Sequence, residues 1–231
     1  MTENDFPRMD ASSLQQNAVR QTFKKGEKIL RPHDEPTKIY TVISGYVKAY
    51  NINDQGIEQI QIIYGELEVF PVAWLVGKNR IRMYFEAMTD CVVDALPQDT
   101  LRTLLKTRPD VSYVMISKLV GLFLTYVQQV DNLEYTYASE RLAYRLLIVG
   151  AQFGEETEDG VLLPGFSYQT FGSMINLSRE SVNREIAKLV EQKLVVLKDS
   201  RIYLTNLPAL RKKVDRDGTN LILDDLSSGP L

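Results

Sequence analysis

The residues best suited to chemistry lie late in the chain, in the run Ser178-Arg179-Glu180-Ser181-Val182-Asn183-Arg184. Its apolar positions continue as Val182, Ile186 and Leu189, the four-then-three spacing of one helix face. At about 100° per residue, the five-residue step from Arg179 to Arg184 leaves the two side chains within about 140° of each other, so both long arms reach one groove. An arginine pairs bidentately with guanine O6 and N7, a glutamate such as Glu180 accepts from cytosine N4, and each good pair is worth about 1–3 kcal/mol of base discrimination. Ser178, Ser181, Gln169, Thr170 and Lys188 suit phosphates, which set register without reading sequence, and Asn183 joins this DNA-facing set.

Other chemistries are poorly supplied. One cysteine, Cys91, and one histidine, His33, exclude an internal disulfide, a four-thiolate zinc site and an iron–sulfur cluster held within one chain. There is no Gly-x-Gly-x-x-Gly, no Walker-type phosphate loop and no His-x-x-x-His pair, so the expectation is a non-enzyme with no cofactor and no metal.

The arginines need elements to present them. Before the second helix, Phe171, Ile175 and Leu177 read as the apolar side of a short first helix, with Gly172 allowing close crossing and Asn176 suited to a left-handed corner. Ser178 is the cap of the second helix. Leu194 to Leu197, a Lys198-Asp199-Ser200 turn and Arg201 to Leu204 read as a two-stranded wing, completing a winged helix-turn-helix. Residues 166–213 hold nine basic and four acidic side chains, +5, whereas the rest of the chain carries −8 of the overall −3. A basic module on an acidic body keeps phosphate attraction local.

Upstream, Val111, Met115, Leu119, Leu122, Tyr126, Val130, Leu133 and Tyr137 step by threes and fours, which predicts a helix of about 28 residues from 109. At about 42 Å it outreaches one small domain, and an identical helix is the expected partner, with Met115, Leu119, Leu122, Tyr126, Val130 and Leu133 at the dimer interface. A second helix is expected from Ser139 to about Phe153, then an acidic surface loop over 154–160. Residues 23–97 alternate in strand fashion, with an Asn53-Asp54-Gln55-Gly56 turn between two runs, which predicts a small antiparallel roll or barrel. The 231 residues, 44% hydrophobic and 25% charged, thus divide into a polar tail (1–20), a β-roll (21–108), a dimerisation helix (109–138), the winged module (139–214) and a polar tail (215–231) in which residues 221–226 could dock. With no signal-like start and no membrane-length apolar run, the expected location is the cytoplasm.

This order resembles the Crp/Fnr superfamily of transcription regulators, to which the cyclic AMP receptor protein belongs. The resemblance covers residues 23–211 and is strongest at Leu177 to Arg184, similar to the family's Ser-Arg-Glu-(Thr/Ser)-Val-x-Arg recognition helix. Phe23-Lys24-Lys25-Gly26-Glu27, Ser44-Gly45-Tyr46-Val47, Gly65-Glu66-Leu67 and Asn132-Leu133 add to it. It implies an α+β chain with an N-terminal antiparallel β-roll (a cupin-like double-stranded β-helix), a long dimerisation helix and a C-terminal winged helix-turn-helix. It further implies a homodimer on double-stranded DNA, base reading by Arg179, Glu180 and Arg184 on a half-site related to TGTGA, and RNA polymerase as a partner.

The family's nucleotide pocket follows Gly-Glu-Leu with Arg-Ser or Arg-Thr. Here Glu68-Val69-Phe70-Pro71-Val72-Ala73-Trp74-Leu75 follows instead, Arg80 and Arg82 lack the hydroxyl neighbour, and Tyr126-Val127 stand where the family has hydroxyls. The expectation is therefore no cyclic AMP binding of the usual kind. Gly65, Glu66, Leu67, Phe70, Trp74, Arg82 and Tyr126 are the candidate effector pocket, its small-molecule ligand unknown, with Phe70, Trp74 and Leu75 as core fillers being the competing reading. The alternative function is a ligand-sensing regulatory protein whose basic module docks a protein partner.

Overall fold

The computed structural model describes residues 17–72, 80–134 and 137–214, without the side chains of 125, 128, 129 and 131–134. Two compact units result, residues 1–52 with 60–125, and residues 53–59 with 126–231.

The first unit is a roll of two four-stranded antiparallel sheets. One has the order β1 (Val19–Phe23), β8 (Cys91–Pro97), β3 (Lys38–Ser44), β6 (Val69–Phe70), and the other β2 (Lys28–Leu30), β7 (Tyr84–Ala87), β4 (Val47–Ile52), β5 (Glu58–Tyr64). Alternation in the strands turns Val42, Val47, Ala49, Phe85, Ala87 and Val93, all 0% exposed, into the space between the sheets. β1 begins inside the stretch assigned to the N-terminal tail. Val19 pairs with Ala95, and the Arg20 guanidinium grips the buried Asp94 carboxylate at 2.9 and 3.1 Å, so the roll starts earlier than the composition suggests.

A helix that the sequence reading did not include, α1 (Gln98–Thr107), follows β8 directly. α2 (Pro109–Glu134) is described over 26 residues, and the expected last turn at 135–136 lies outside the described residues. α1 and the start of α2 cover the end of the roll, where Leu101, Val111 and Met115 pack with Ile39, Val69, Val72 and Leu96. Met115, expected at a dimer interface, is only 4% exposed and belongs to this internal cluster. Leu122, from the same expected set, is half-buried against the core between the sheets. The correction has a simple cause: α2 is apolar on several sides, and its inner stripe serves its own roll. The outer stripe is Ile116, Val120, Phe123 and Val130, at 58, 51, 65 and 61% exposure, flanked by Leu119 and Tyr126. The side chain of Leu133 lies outside the described residues.

The second unit comprises α3 (Ala138–Phe153), β9 (Glu155–Thr157), β10 (Gly160–Leu162), α4 (Tyr168–Ile175), α5 (Arg179–Glu191), β11 (Val195–Lys198), β12 (Arg201–Leu204) and α6 (Leu207–Val214). Eight consecutive residues of α3, 142–149, are buried, because α4, α5 and α6 surround it. The segment expected as an acidic loop is a hairpin instead. β10 pairs with β12, extending the expected two-stranded wing to a four-stranded sheet of order β11-β12-β10-β9. Among the described residues, no helix is long and apolar enough to cross a membrane, and no cluster of metal-ligating side chains is found.

Candidate nucleic-acid interface

α4 and α5 form the corner that the sequence suggests. The Ser167 hydroxyl caps α4 by accepting from Thr170 N–H at 3.1 Å. Asn176 ends it in the left-handed region, φ 54° and ψ 49°. The Ser178 hydroxyl then caps α5, accepting from Ser181 N–H at 3.1 Å. The crossing is close: a Cβ built on Gly172 would lie 2.3 Å from the Leu177 carbonyl oxygen, while Leu177 N–H donates to the Gly172 carbonyl at 3.0 Å. Phe171, Ile175, Val182, Ile186 and Leu189 are buried under the pair with Leu163, Leu194 and Leu204.

With that side buried, α5 has one face left. Arg179, Glu180, Asn183, Arg184 and Lys188 are exposed on it, as are Ser178 at its cap and Gln169 on α4, whereas Ser181 and Thr170 are half-buried. The structure thus brings every DNA-facing residue expected from the sequence into α4, α5 or their caps. The Glu180 carboxyl is held below its ordinary range by its own amide N–H and by the Ser178 hydroxyl, so it is an acceptor only.

Glu185 was missed by the sequence reading. It is 4% exposed, and its carboxylate lies 2.8 Å from Lys188 Nζ and 3.6 Å from Arg184 Nε. On its other side Arg184 Nη2 donates to the Ser181 hydroxyl at 3.4 Å, and the Ser178 and Ser181 hydroxyls are 3.1 Å apart. A chain of polar contacts therefore runs along α5 from cap to last turn. Its signal was present, because Glu185 and Lys188 are three residues apart on a helix, but a buried carboxylate on a DNA-facing helix is not apparent from spacing alone.

The candidate effector residues are not gathered in this way. Phe70, expected as a pocket wall, is 0% exposed, stacks on Tyr40 and Phe85 at centroid distances of 5.3 Å each and meets Tyr64 in a tilted contact at 5.2 Å, so it is core. Glu66, Leu67 and Arg82 are exposed, Gly65 is buried, and Tyr126 is 40% exposed on α2. Trp74 and Leu75 lie outside the described residues. The turn after β5 closes on itself: Glu68 Oε2 accepts from Gly65 N–H at 2.5 Å, and burial pushes the Glu68 carboxyl up against the opposing pull of that bond and of Lys118. Cys91 is buried, its thiol donating to the Tyr46 carbonyl at 3.1 Å.

Fold and site together define a winged-helix DNA-binding regulator whose module follows a β-roll in the chain. Comparison with known proteins agrees. A family model described as the cyclic nucleotide-binding domain matches residues 20–108, and one described as the Crp-like helix-turn-helix domain matches residues 140–213. Among curated relatives, the global nitrogen regulator of Synechococcus elongatus is 28% identical over 194 residues, covering 83% of this chain and 87% of its own. The cAMP-activated global transcriptional regulator CRP of Haemophilus influenzae is 25% identical over 168 residues, 72% of this chain and 75% of its own. The solved structure of FixK2 from Bradyrhizobium japonicum shares the fold with a TM-score of 0.75 at 22% identity, covering 87% of this chain and 98% of that one. The chain belongs to the Crp/Fnr family of transcription regulators.

Proposed function

We propose that this regulator reads a pseudo-palindromic duplex as a homodimer and is not switched by cyclic AMP in the family's usual way. The observation that carries the DNA reading is the exposed N-terminal face of α5, where Arg179, Glu180 and Arg184 stand clear of the buried side of a capped, closely crossed helix pair. Inserted into a major groove, Arg179 and Arg184 would take guanine edges and Glu180 a cytosine amine, while Ser178, Ser181, Asn183, Gln169, Thr170 and Lys188 would meet the backbone. The outer stripe of α2 supports pairing with a second copy. Two recognition helices would then meet successive major grooves about 34 Å apart. RNA polymerase is the partner proposed at the promoter.

The independence from cyclic AMP is supported by the turn at Gly65, whose N–H is already satisfied by the chain's own Glu68 carboxylate, and by the aromatic stack filling the roll. Calorimetric titration with cyclic AMP should show no saturable heat up to about 100 µM, a dissociation constant that corresponds to about 5.5 kcal/mol of binding free energy. A saturating isotherm below that concentration would refute this part.

The first test of the whole is site selection from a random duplex library at near-physiological salt. A two-fold symmetric sequence should be enriched, whereas a basic module that docks a protein would enrich none. On the selected site, Arg179→Ala should cost about 1–3 kcal/mol and relax one position of each half-site. Equal weakening on every duplex would show that Arg179 contacts phosphate and not a base.

A further inference from the structure

An aliphatic side chain would suit position 185 better than the glutamate that stands there. α5 buries Val182, Glu185, Ile186 and Leu189, so Glu185 shares the inner stripe with three apolar residues. Taking a carboxylate out of water is costly, and replacing a buried ion pair by apolar residues of similar volume is often neutral or stabilising. Stability therefore gives no account of this charge, and its surroundings point to DNA instead.

Lys188 Nζ and Arg184 Nε lie 2.8 and 3.6 Å from the same oxygen, Glu185 Oε1. Both cations stand on the exposed face of α5, where the phosphates of any duplex would attract them. A phosphate that takes either one competes with a carboxylate fixed on the helix and shielded from water, where a charge pair is screened less than at an open surface. A guanine edge is a different competitor. It is uncharged and asks only for donors in a fixed fork, and a guanidinium has five, so the terminal Nη groups of Arg184 can reach O6 and N7 while Nε stays beside Glu185.

We propose that Glu185 is a specificity-determining residue: its buried carboxylate competes with DNA phosphates for Arg184 and Lys188, so the helix gains less from duplexes in general and keeps what it gains from the right one. This role rests on the reading of α5 as the DNA-reading helix and of Arg184 as a base contact. It adds to that site a residue on the buried side of the helix, which acts through its two cationic neighbours.

The test titrates the parent protein and Glu185→Gln with the duplex selected from the random library and with an unrelated duplex of equal length, over about 50–200 mM salt. Glutamine keeps the volume and removes the charge. The variant should bind the unrelated duplex about 3–10-fold more tightly, with a salt slope steeper by about one for each cation released. The selected duplex should gain less, so the ratio between the two affinities falls. In an Arg184→Met/Lys188→Met background the same change should leave the ratio unmoved, because those two cations carry the effect. Melting of each variant is followed alongside. Should Glu185→Gln fail to fold, Glu185→Met, apolar and of similar size, is read in the same way. Weaker binding of both duplexes would show a structural role only, and an unchanged ratio in a folded variant would show that Glu185 adds no specificity. Either result overturns the proposal and leaves the DNA reading standing. Failure of the DNA reading itself looks different: the parent protein would then enrich no duplex from the library, and the role of Glu185 would fall with it.

Discussion

Phe123→Glu should leave both units folded and convert the proposed dimer to a monomer, with a loss on the order of 10²–10⁴-fold in affinity for the proposed palindrome. Phe123 is 65% exposed and sits between Val120 and Val130, 51 and 61% exposed, on the one side of α2 that its own roll does not use. Burying such side chains against a second helix gives about 1.5–3 kcal/mol each, and a carboxylate placed among them opposes its own copy across the two-fold axis. Half-site contacts stay intact, so the loss comes from the linkage of two recognition helices. Sedimentation gives the oligomeric state and a duplex titration the affinity. Met115→Glu is the informative contrast, since Met115 lies among Ile39, Val69 and Leu101 and its replacement should unfold the roll. A Phe123→Glu protein that remains dimeric with unchanged affinity would place the interface elsewhere.

Gly172→Ala is expected to unfold the helix pair of the second unit at a cost of about 3 kcal/mol or more, abolishing specific binding while the roll melts as before. The added Cβ would meet the Leu177 carbonyl oxygen at 2.3 Å and the carbonyl carbon at 3.4 Å. Both are backbone atoms of the corner, so no rotamer change relieves the contact, and Leu177 N–H would have to give up its 3.0 Å bond to residue 172. Calorimetry resolving the two units, with near-normal first melting and an early second one, checks this. A melting curve like the parent's would show that α4 and α5 can separate without penalty.

The helix-turn-helix was legible because its determinants are local: the serine cap at Ser178, a left-handed asparagine and a glycine at the crossing each act within a few residues. What escaped was decided at longer range. β1 forms because Val19 to Phe23 find β8, about 70 residues away, and β9 and β10 form because β12 offers an edge to an acidic run of low strand propensity. α1 starts without a side-chain cap, directly from β8 through Pro97, so only Asp99 in its first turn marks the start. For α2 the helix was legible but not its facing. Met115 and Ile116 are both apolar neighbours, and only the packing of Val111 and Met115 into the end of the roll tells which stripe is spent internally. Phe70 shows the same limit at the candidate effector site: an aromatic near a ligand-like turn reads as wall or as filler until its stacking partners are known.

The contacts along α5 bear on how discrimination is expressed in time. Arg184 is held by the Ser181 hydroxyl on one side and the buried Glu185 carboxylate on the other before any duplex arrives. Immobilising a long side chain on binding costs about 0.5–1.5 kcal/mol, and here much of that ordering has been done during folding. A rigid reader has little to rearrange in the encounter complex, so correct and incorrect sites are approached at similar speed. If Arg184 reads a base as proposed, the base edges are then judged by residence: the protein lingers where that side chain meets a guanine and departs quickly where it does not.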